Sequence, residues 1–206
     1  MGPTTPLTVA LAADGKVSSL LKETAVLFNG FPAPLLYVRN DQINLVAPYE
    51  IAGATDLSVV VTLNGLASVP FPLTPARANP AVFTLDASGT GQGVILNPDN
   101  SINSPSNAAA KGSRIIIYVT GEGQTDPPGL TGKITAAPAP QPVLPVAAFI
   151  NGSPTPTVYY GEATGVVAGM MQLNLRIPES TPSGELPLIV SVGDKPSQPG
   201  VTVSIQ

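Results

Sequence analysis

Apolar residues fall in short runs along the whole chain, and the runs are separated by turn-forming residues. Leu57, Val59, Val61 and Leu63 are apolar at alternate positions, with Val60 an additional apolar residue among them. Leu173, Leu175 and Ile177 alternate with Asn174 and Arg176. A period of two is the signature of a strand with one face in a core and the other in water. Further runs rich in Val, Ile, Leu, Thr and Tyr are LTVALAAD, TAVLFNG, APLLYV, QINLVAP and ASVPFPL in the first part. AVFTL, GVILN, SRIIIYVTG, VAAFING, PTVYYG, LPLIVSV and GVTVSI follow in the rest. Each is bounded by turn signals, as short strands are. Prolines recur too often for a helix of ordinary length to fit between them. The pattern predicts an all-β chain of antiparallel sandwiches.

Three of the runs end in Asn-Gly, at Asn29-Gly30, Asn64-Gly65 and Asn151-Gly152. This pair tolerates the positive φ angles of a type I′ turn, whose twist suits a two-residue hairpin. All three are therefore read as hairpin tips.

The string around the first tip is written twice. Asn29-Gly30-x-Pro32-x-Pro34 aligns with Asn151-Gly152-x-Pro154-x-Pro156, and Tyr37 then falls on Tyr159. Gln42-x-Asn44-Leu45-x-x-Pro48 aligns with Gln172-x-Asn174-Leu175-x-x-Pro178. From Tyr37 to Gln42 is 5 positions and from Tyr159 to Gln172 is 13, so the second copy is 8 longer there. Leu57-x-Val59-x-Val61 matches Leu186-x-Leu188-x-Val190, and Ser68 matches Ser197. The repeat spans several strands, and its length differences sit in loops, where insertions are tolerated. It predicts two similar domains in tandem, residues 1–78 and 79–206, meeting near Arg77-Ala78-Asn79-Pro80. The second copy has an extra hairpin in front, from Pro80 onward; the first has only LTVALAADGKVSS in that place and is expected to be abbreviated at its start.

Composition narrows the functions. The chain has 206 residues, with 43% hydrophobic and only 11% charged. That length accommodates two domains of about 80–120 residues. The net charge is −4, and the 9 basic residues form no run. Nucleic-acid binding, which needs clustered Lys and Arg, is not expected, and neither is a polybasic membrane anchor. No segment approaches the length of a membrane span, so no membrane insertion is expected. With Cys 0 and His 0, disulfides, the usual structural zinc sites and His- or Cys-based triads are excluded. The start, MGPTTPLTVALAADG, lacks the basic region of a signal peptide.

Candidate chemistry is sparse. Gln42, Asn44, Gln172 and Asn174 form two polar pairs on strands, and Tyr160 is an aromatic beside the second. Residues two apart share a strand face, so each pair would either contact a glycan or peptide or fix a corner of the sandwich. Their repetition favours the corner. Asp99-x-Ser101-x-Asn103 presents oxygens at alternate positions, but a calcium loop wants more carboxylates, and Asn-Pro-Asp-Asn-Ser is ordinary turn composition. Gly89-Thr90-Gly91-Gln92-Gly93 precedes a strand rather than a helix, so it reads as a hairpin tip and not a phosphate loop. The 13 acids lie across loops with no two placed to face each other. No enzyme activity, metal or cofactor is expected. A Lys–Asn isopeptide cross-link through Lys22, Lys111 or Lys133 would show as a mass deficit of about 17 Da.

Several ordered motifs resemble known domains. IIIYVTGEG with Gly121 and Gly123, Asn151-Gly152, LNLRIP ending at Pro178, LPLIVSV and Ser197 resemble the TIG/IPT immunoglobulin-like domains. NGFPAPLLYVRNDQINLVAP, NPAVFT, GQGVILNPDNSINS, YVTGEGQTDPP and YYG to QLNLRIP resemble a bacterial family described as the Solibacter uncharacterised C-terminal domain, over roughly residues 25 to 206. MMQ where that family often has an aromatic before the Gln, and Ala108-Ala109 for Pro-Ala, are departures that leave the fold unchanged. The resemblance implies two tandem immunoglobulin-like β-sandwiches in an extracellular or cell-surface bacterial protein. It assigns no residue a function. The expectation is a non-catalytic spacer, stalk or adhesion-like module with an unidentified protein or glycan partner. The alternative is a carbohydrate-binding module attached to a secreted enzyme.

Overall fold

The computed structural model describes residues 2–206. The chain is all-β, built as two immunoglobulin-like sandwiches of antiparallel strands; a 3-10 turn, Tyr49–Ile51, is the helical element among the described residues. Its residues form two compact units. The first comprises Met1–Arg77, Pro128–Pro138 and Thr164–Gly169; the second comprises Ala78–Pro127, Ala139–Ala163 and Met170–Gln206.

In the second unit, one sheet runs Gly91–Gln92, Val201–Ile205, Gly184–Val192, Val146–Ile150, Ser153–Thr155. The facing sheet runs Ile95–Leu96, Arg114–Thr120, Met170–Arg176, Thr157–Glu162, with Ala81–Val82 also on Arg114–Thr120. The apolar alternation is what builds the core between them. Ile115, Ile117 and Val119 from one strand meet Met171, Leu173 and Leu175 from the next, all at 0% exposure. Leu188, Val190, Val192, Val201 and Val203 close the core from the other sheet.

The first unit repeats the later part of this plan. Thr24–Phe28 pairs with Leu57–Leu63 as Val146–Ile150 pairs with Gly184–Val192. Leu35–Val38 pairs with Ile43–Leu45 as Thr157–Glu162 pairs with Met170–Arg176. Even the irregularity is copied: the register shifts between Leu35 and Tyr37 in one and between Thr157 and Tyr159 in the other. A small core gathers around Leu21, Val26, Phe28, Ala33, Leu35, Val38 and Leu57.

The Asn-Gly tips have the expected conformation. Asn29, Asn64 and Asn151 have φ of 50°, 51° and 51°, and the glycine after each is also positive. The strands they join are in register, with Phe28 opposite Phe31, Leu63 opposite Leu66 and Ile150 opposite Ser153. Where copy one has Asn64-Gly65, copy two joins Val192 to Lys195 through Gly193-Asp194. Ser68 and Ser197 play matching parts. The backbone N–H of Val61 donates to Ser68 Oγ at 3.1 Å, and that of Val190 donates to Ser197 Oγ at 3.1 Å.

The two-unit division departs from contiguous domains 1–78 and 79–206 in one respect. The change of unit at Arg77–Ala78 falls beside the expected boundary, but two later segments group with the first unit. Pro128–Pro138 lies within a loop whose ends are held by Thr125–Asp126 pairing with Gln141–Pro142. Thr164–Gly169 is the tip between Thr157–Glu162 and Met170–Arg176, where the second copy is longer. Backbone bonds hold these segments in the first unit: Val17 N–H donates to Gly132 O at 2.8 Å, and Thr135 N–H donates to Val166 O at 2.8 Å. An alignment of the repeats shows such a tip as extra length; only the fold shows what it packs against.

Candidate functional site

The two polar pairs are geometrically alike. Gln42 Nε2 donates to Asn44 Oδ1 at 2.7 Å, and Gln172 Nε2 donates to Asn174 Oδ1 at 2.9 Å. In each unit the tyrosine of the repeat lies directly across the strands, Tyr37 opposite Asn44 and Tyr159 opposite Asn174. Because Leu173 and Leu175 face the core, Gln172 and Asn174 face outward. Gln42 and Asn44 are exposed, whereas Gln172 and Asn174 are half-buried.

The neighbouring strand explains that difference. In the second unit Tyr118 stands opposite Gln172, and Ile116 opposite Asn174. The outer face of this sheet therefore carries a stripe of Tyr118, Gln172, Asn174 and Tyr159, all half-buried. A Cβ at Gly161 would press on the Tyr159 hydroxyl, so glycine there leaves room for the ring to lie flat. At one end, Arg114 and Arg176 face each other across the strands, both exposed, which gives that end positive charge. Aromatic rings beside amide donors and acceptors can take up a sugar face or a peptide.

Tyr160 lies elsewhere. It stands opposite Leu173, on the inward side, and packs against the core cluster. Tyr159, its neighbour, is the residue on the outer face. Consecutive strand residues point to opposite faces, so an assignment one residue out reverses the role. Tyr118 carried no mark in the sequence beyond its place in SRIIIYVTG; pairing with Gln172 gives it significance.

The oxygen-bearing loop serves the fold. Asn103 is fully buried. Its Nδ2 donates to Asn97 Oδ1 at 3.0 Å and Ser204 O at 2.8 Å. Its Oδ1 accepts from Ser204 N–H at 2.8 Å and Gln92 Nε2 at 3.0 Å. Asp99 accepts from the Ser101 hydroxyl at 2.6 Å and the Ser101 backbone N–H at 3.0 Å. Those two bonds, the hydroxyl first, hold the Asp99 carboxyl below its ordinary value. Among the described residues no three His, Cys, Asp or Glu side chains gather as a metal site would require.

The glycine stretch at 89–93 does more than turn. Leu85 N–H donates to Gln92 O and Val94 N–H to Phe83 O, which is the expected hairpin. In addition, Gly91–Gln92 pairs in parallel with Val201–Thr202 and covers that edge of the sheet. Two acids are buried in the second unit, Glu122 and Glu162, and neighbouring groups engage both. Lys22 and Lys133 are exposed and Lys111 is half-buried.

No protein-family model matches the chain, and no curated protein matches it. Among solved structures, one that is similar is the Bacteroides ovatus mixed-linkage glucan utilization locus SGBP-B in complex with a mixed-linkage heptasaccharide. It is 13% identical with a TM-score of 0.31, over 99% of this chain and 40% of that one. Another is the I9–I11 tandem of titin, 13% identical with a TM-score of 0.27, over 92% of this chain and 57% of that one. The chain thus spans less than half of the first and somewhat over half of the second. Among the described residues no helix is long and apolar enough to cross a membrane.

Proposed function

We propose that the chain is a non-catalytic, exported bacterial β-module that acts as a spacer, stalk or adhesion-like element. The observation that carries this reading is the repetition of the Tyr–Asn–Gln arrangement. Both units hold it in the same register, with the same internal Gln-to-Asn hydrogen bond. A structural device is needed once per sandwich, so its presence in both units fits a role in the fold. The resemblance to the Solibacter C-terminal and TIG/IPT families points the same way, and so do the low charge and dense prolines, which stiffen loops. The test is a glycan array and a pull-down against polysaccharides, combined with limited proteolysis. The module reading expects no glycan signal and slow cleavage. A reproducible glycan signal would sink it.

The second reading, a carbohydrate-binding module, is favoured by one observation: the outward stripe of Tyr118, Gln172, Asn174 and Tyr159. If it holds, Tyr159→Ala or Tyr118→Ala abolishes the glycan signal, and Tyr160→Phe leaves it unchanged because Tyr160 packs inward.

A further inference from the structure

The three Asn-Gly tips share a dipeptide, a backbone conformation and an open setting. Asn29, Asn64 and Asn151 have φ of 50°, 51° and 51°, and each is exposed together with the glycine that follows it. A Cβ built on Gly30, Gly65 or Gly152 would meet nothing within 4 Å. This pair has a chemistry of its own. The backbone nitrogen of the second residue can attack the side-chain amide carbon of the first, and a glycine, which lacks a Cβ, leaves that approach open.

The tips differ in what holds the asparagine. Asn29 Nδ2 donates to Asp56 O at 3.0 Å, and its Oδ1 accepts from the Ser58 backbone N–H at 2.7 Å. Both ends of that amide are tied to the neighbouring strand and the residue before it. Among the described residues the side-chain amides of Asn64 and Asn151 make no hydrogen bond. The chain beyond each tip then separates these two. Past Asn151, Thr155 is buried, and its hydroxyl oxygen accepts at 3.2 Å from the N–H of Ile150, itself 1% exposed. Past Asn64, Leu66–Ala67 is a two-residue strand with both side chains exposed, Leu66 at 78%. Opening the Asn64 tip therefore disturbs the fewest buried contacts.

We propose that Asn64 is a site of spontaneous covalent modification, the first of the three tips to deamidate. The Gly65 backbone nitrogen bonds to Asn64 Cγ as the Cγ–Nδ2 bond breaks, and ammonia leaves carrying that nitrogen's proton. The product is a five-membered succinimide. Water then adds to one of its two carbonyl carbons and opens the ring, giving aspartate from one and isoaspartate from the other. One ammonia is lost, one water is gained, and one negative charge is added to the net −4. Isoaspartate routes the backbone through the side-chain carbon and lengthens the turn, so the two-residue register that sets Leu63 opposite Leu66 is lost. Asn151 follows more slowly, and Asn29 is last. The dipeptide is the same at all three, so the order is set by the fold. The inference does not depend on whether the outer stripe binds glycans.

The test incubates the full chain in mildly alkaline buffer and follows its peptides over time by mass spectrometry, with isoaspartate scored by enzymatic methylation. Each conversion adds about 1 Da. A parallel sample unfolded in urea leaves only the local sequence to act. The expected order in the folded chain is Asn64, Asn151, Asn29. Unfolding speeds Asn29 about tenfold or more, because two hydrogen bonds to its amide are lost, and speeds Asn64 least. Asn64→Gln removes the first conversion and leaves the other two rates as they were; if that variant fails to fold, the time course of the unmodified chain decides. The proposal is overturned if Asn29 or Asn151 converts first, or if the three convert at equal rates in the folded chain. It is overturned too if Asn64 stays intact there while the unfolded sample is modified, or if the same spread of rates persists in urea.

Discussion

Asn103 is a fully buried amide in the second unit. Its amide joins Asn97, Gln92 and both backbone groups of Ser204, which lies 101 positions away. Asn103→Ala removes four hydrogen bonds inside a fully buried site. The expected loss is about 3 kcal/mol or more, read from the denaturant midpoint of the second unit. Asp99, at the turn that precedes Asn103, is exposed and holds Ser101 through two hydrogen bonds. Its folded pKa lies below the ordinary 3.8, so its stabilisation is complete above that value and fades as the pH falls through the folded value beneath it. Asp99→Asn should therefore flatten the acid limb of stability, checked by comparing unfolding midpoints with the unmodified chain at about pH 6 and about pH 2.5. A gap that is as wide at the lower pH as at the higher would refute this assignment.

At the level of strands, equal sequence does not mean equal burial. Val61 and Val190 occupy the same repeat position, and each donates its backbone N–H to the serine of the following strand. Val190 is fully buried beneath the sheet that holds Arg114–Thr120, while Val61 lines a groove beside Gln42 and Ile43. Val190→Ala should cost about 2 kcal/mol and Val61→Ala about half of that or less. Native-state hydrogen exchange separates the two units and measures each loss. Equal losses would mean that something covers that groove. The hairpins show the opposite behaviour, because they depend on local geometry. Asn-Gly carries the same positive φ in both copies wherever it occurs. That part of the fold was legible from dipeptides alone.

At the scale of the molecule, the first unit includes chain from far along the sequence. Thr131 Oγ1 accepts from the Tyr49 backbone N–H at 2.9 Å, and its hydroxyl donates to Glu50 Oε2 at 2.6 Å. Thr131→Ala should speed amide exchange at Tyr49 about tenfold or more and leave exchange in the Arg114–Thr120 strand unchanged. An unchanged rate at Tyr49 would show that Pro128–Pro138 is held by other bonds. The sequence by itself determined the all-β class, the hairpin tips and the doubled strand order, because period, turn residues and repetition are local properties. Tertiary structure decided the rest. It placed Tyr159 rather than Tyr160 on the outer face, since a register shift beside Thr157 sets which residue points outward. It brought Tyr118 to Gln172 and tied Asn103 to Ser204, contacts that join distant strands. It also set different burial on matching positions, Val190 fully buried and Val61 partly exposed, because a repeat records which strands are present, while only packing shows what covers them.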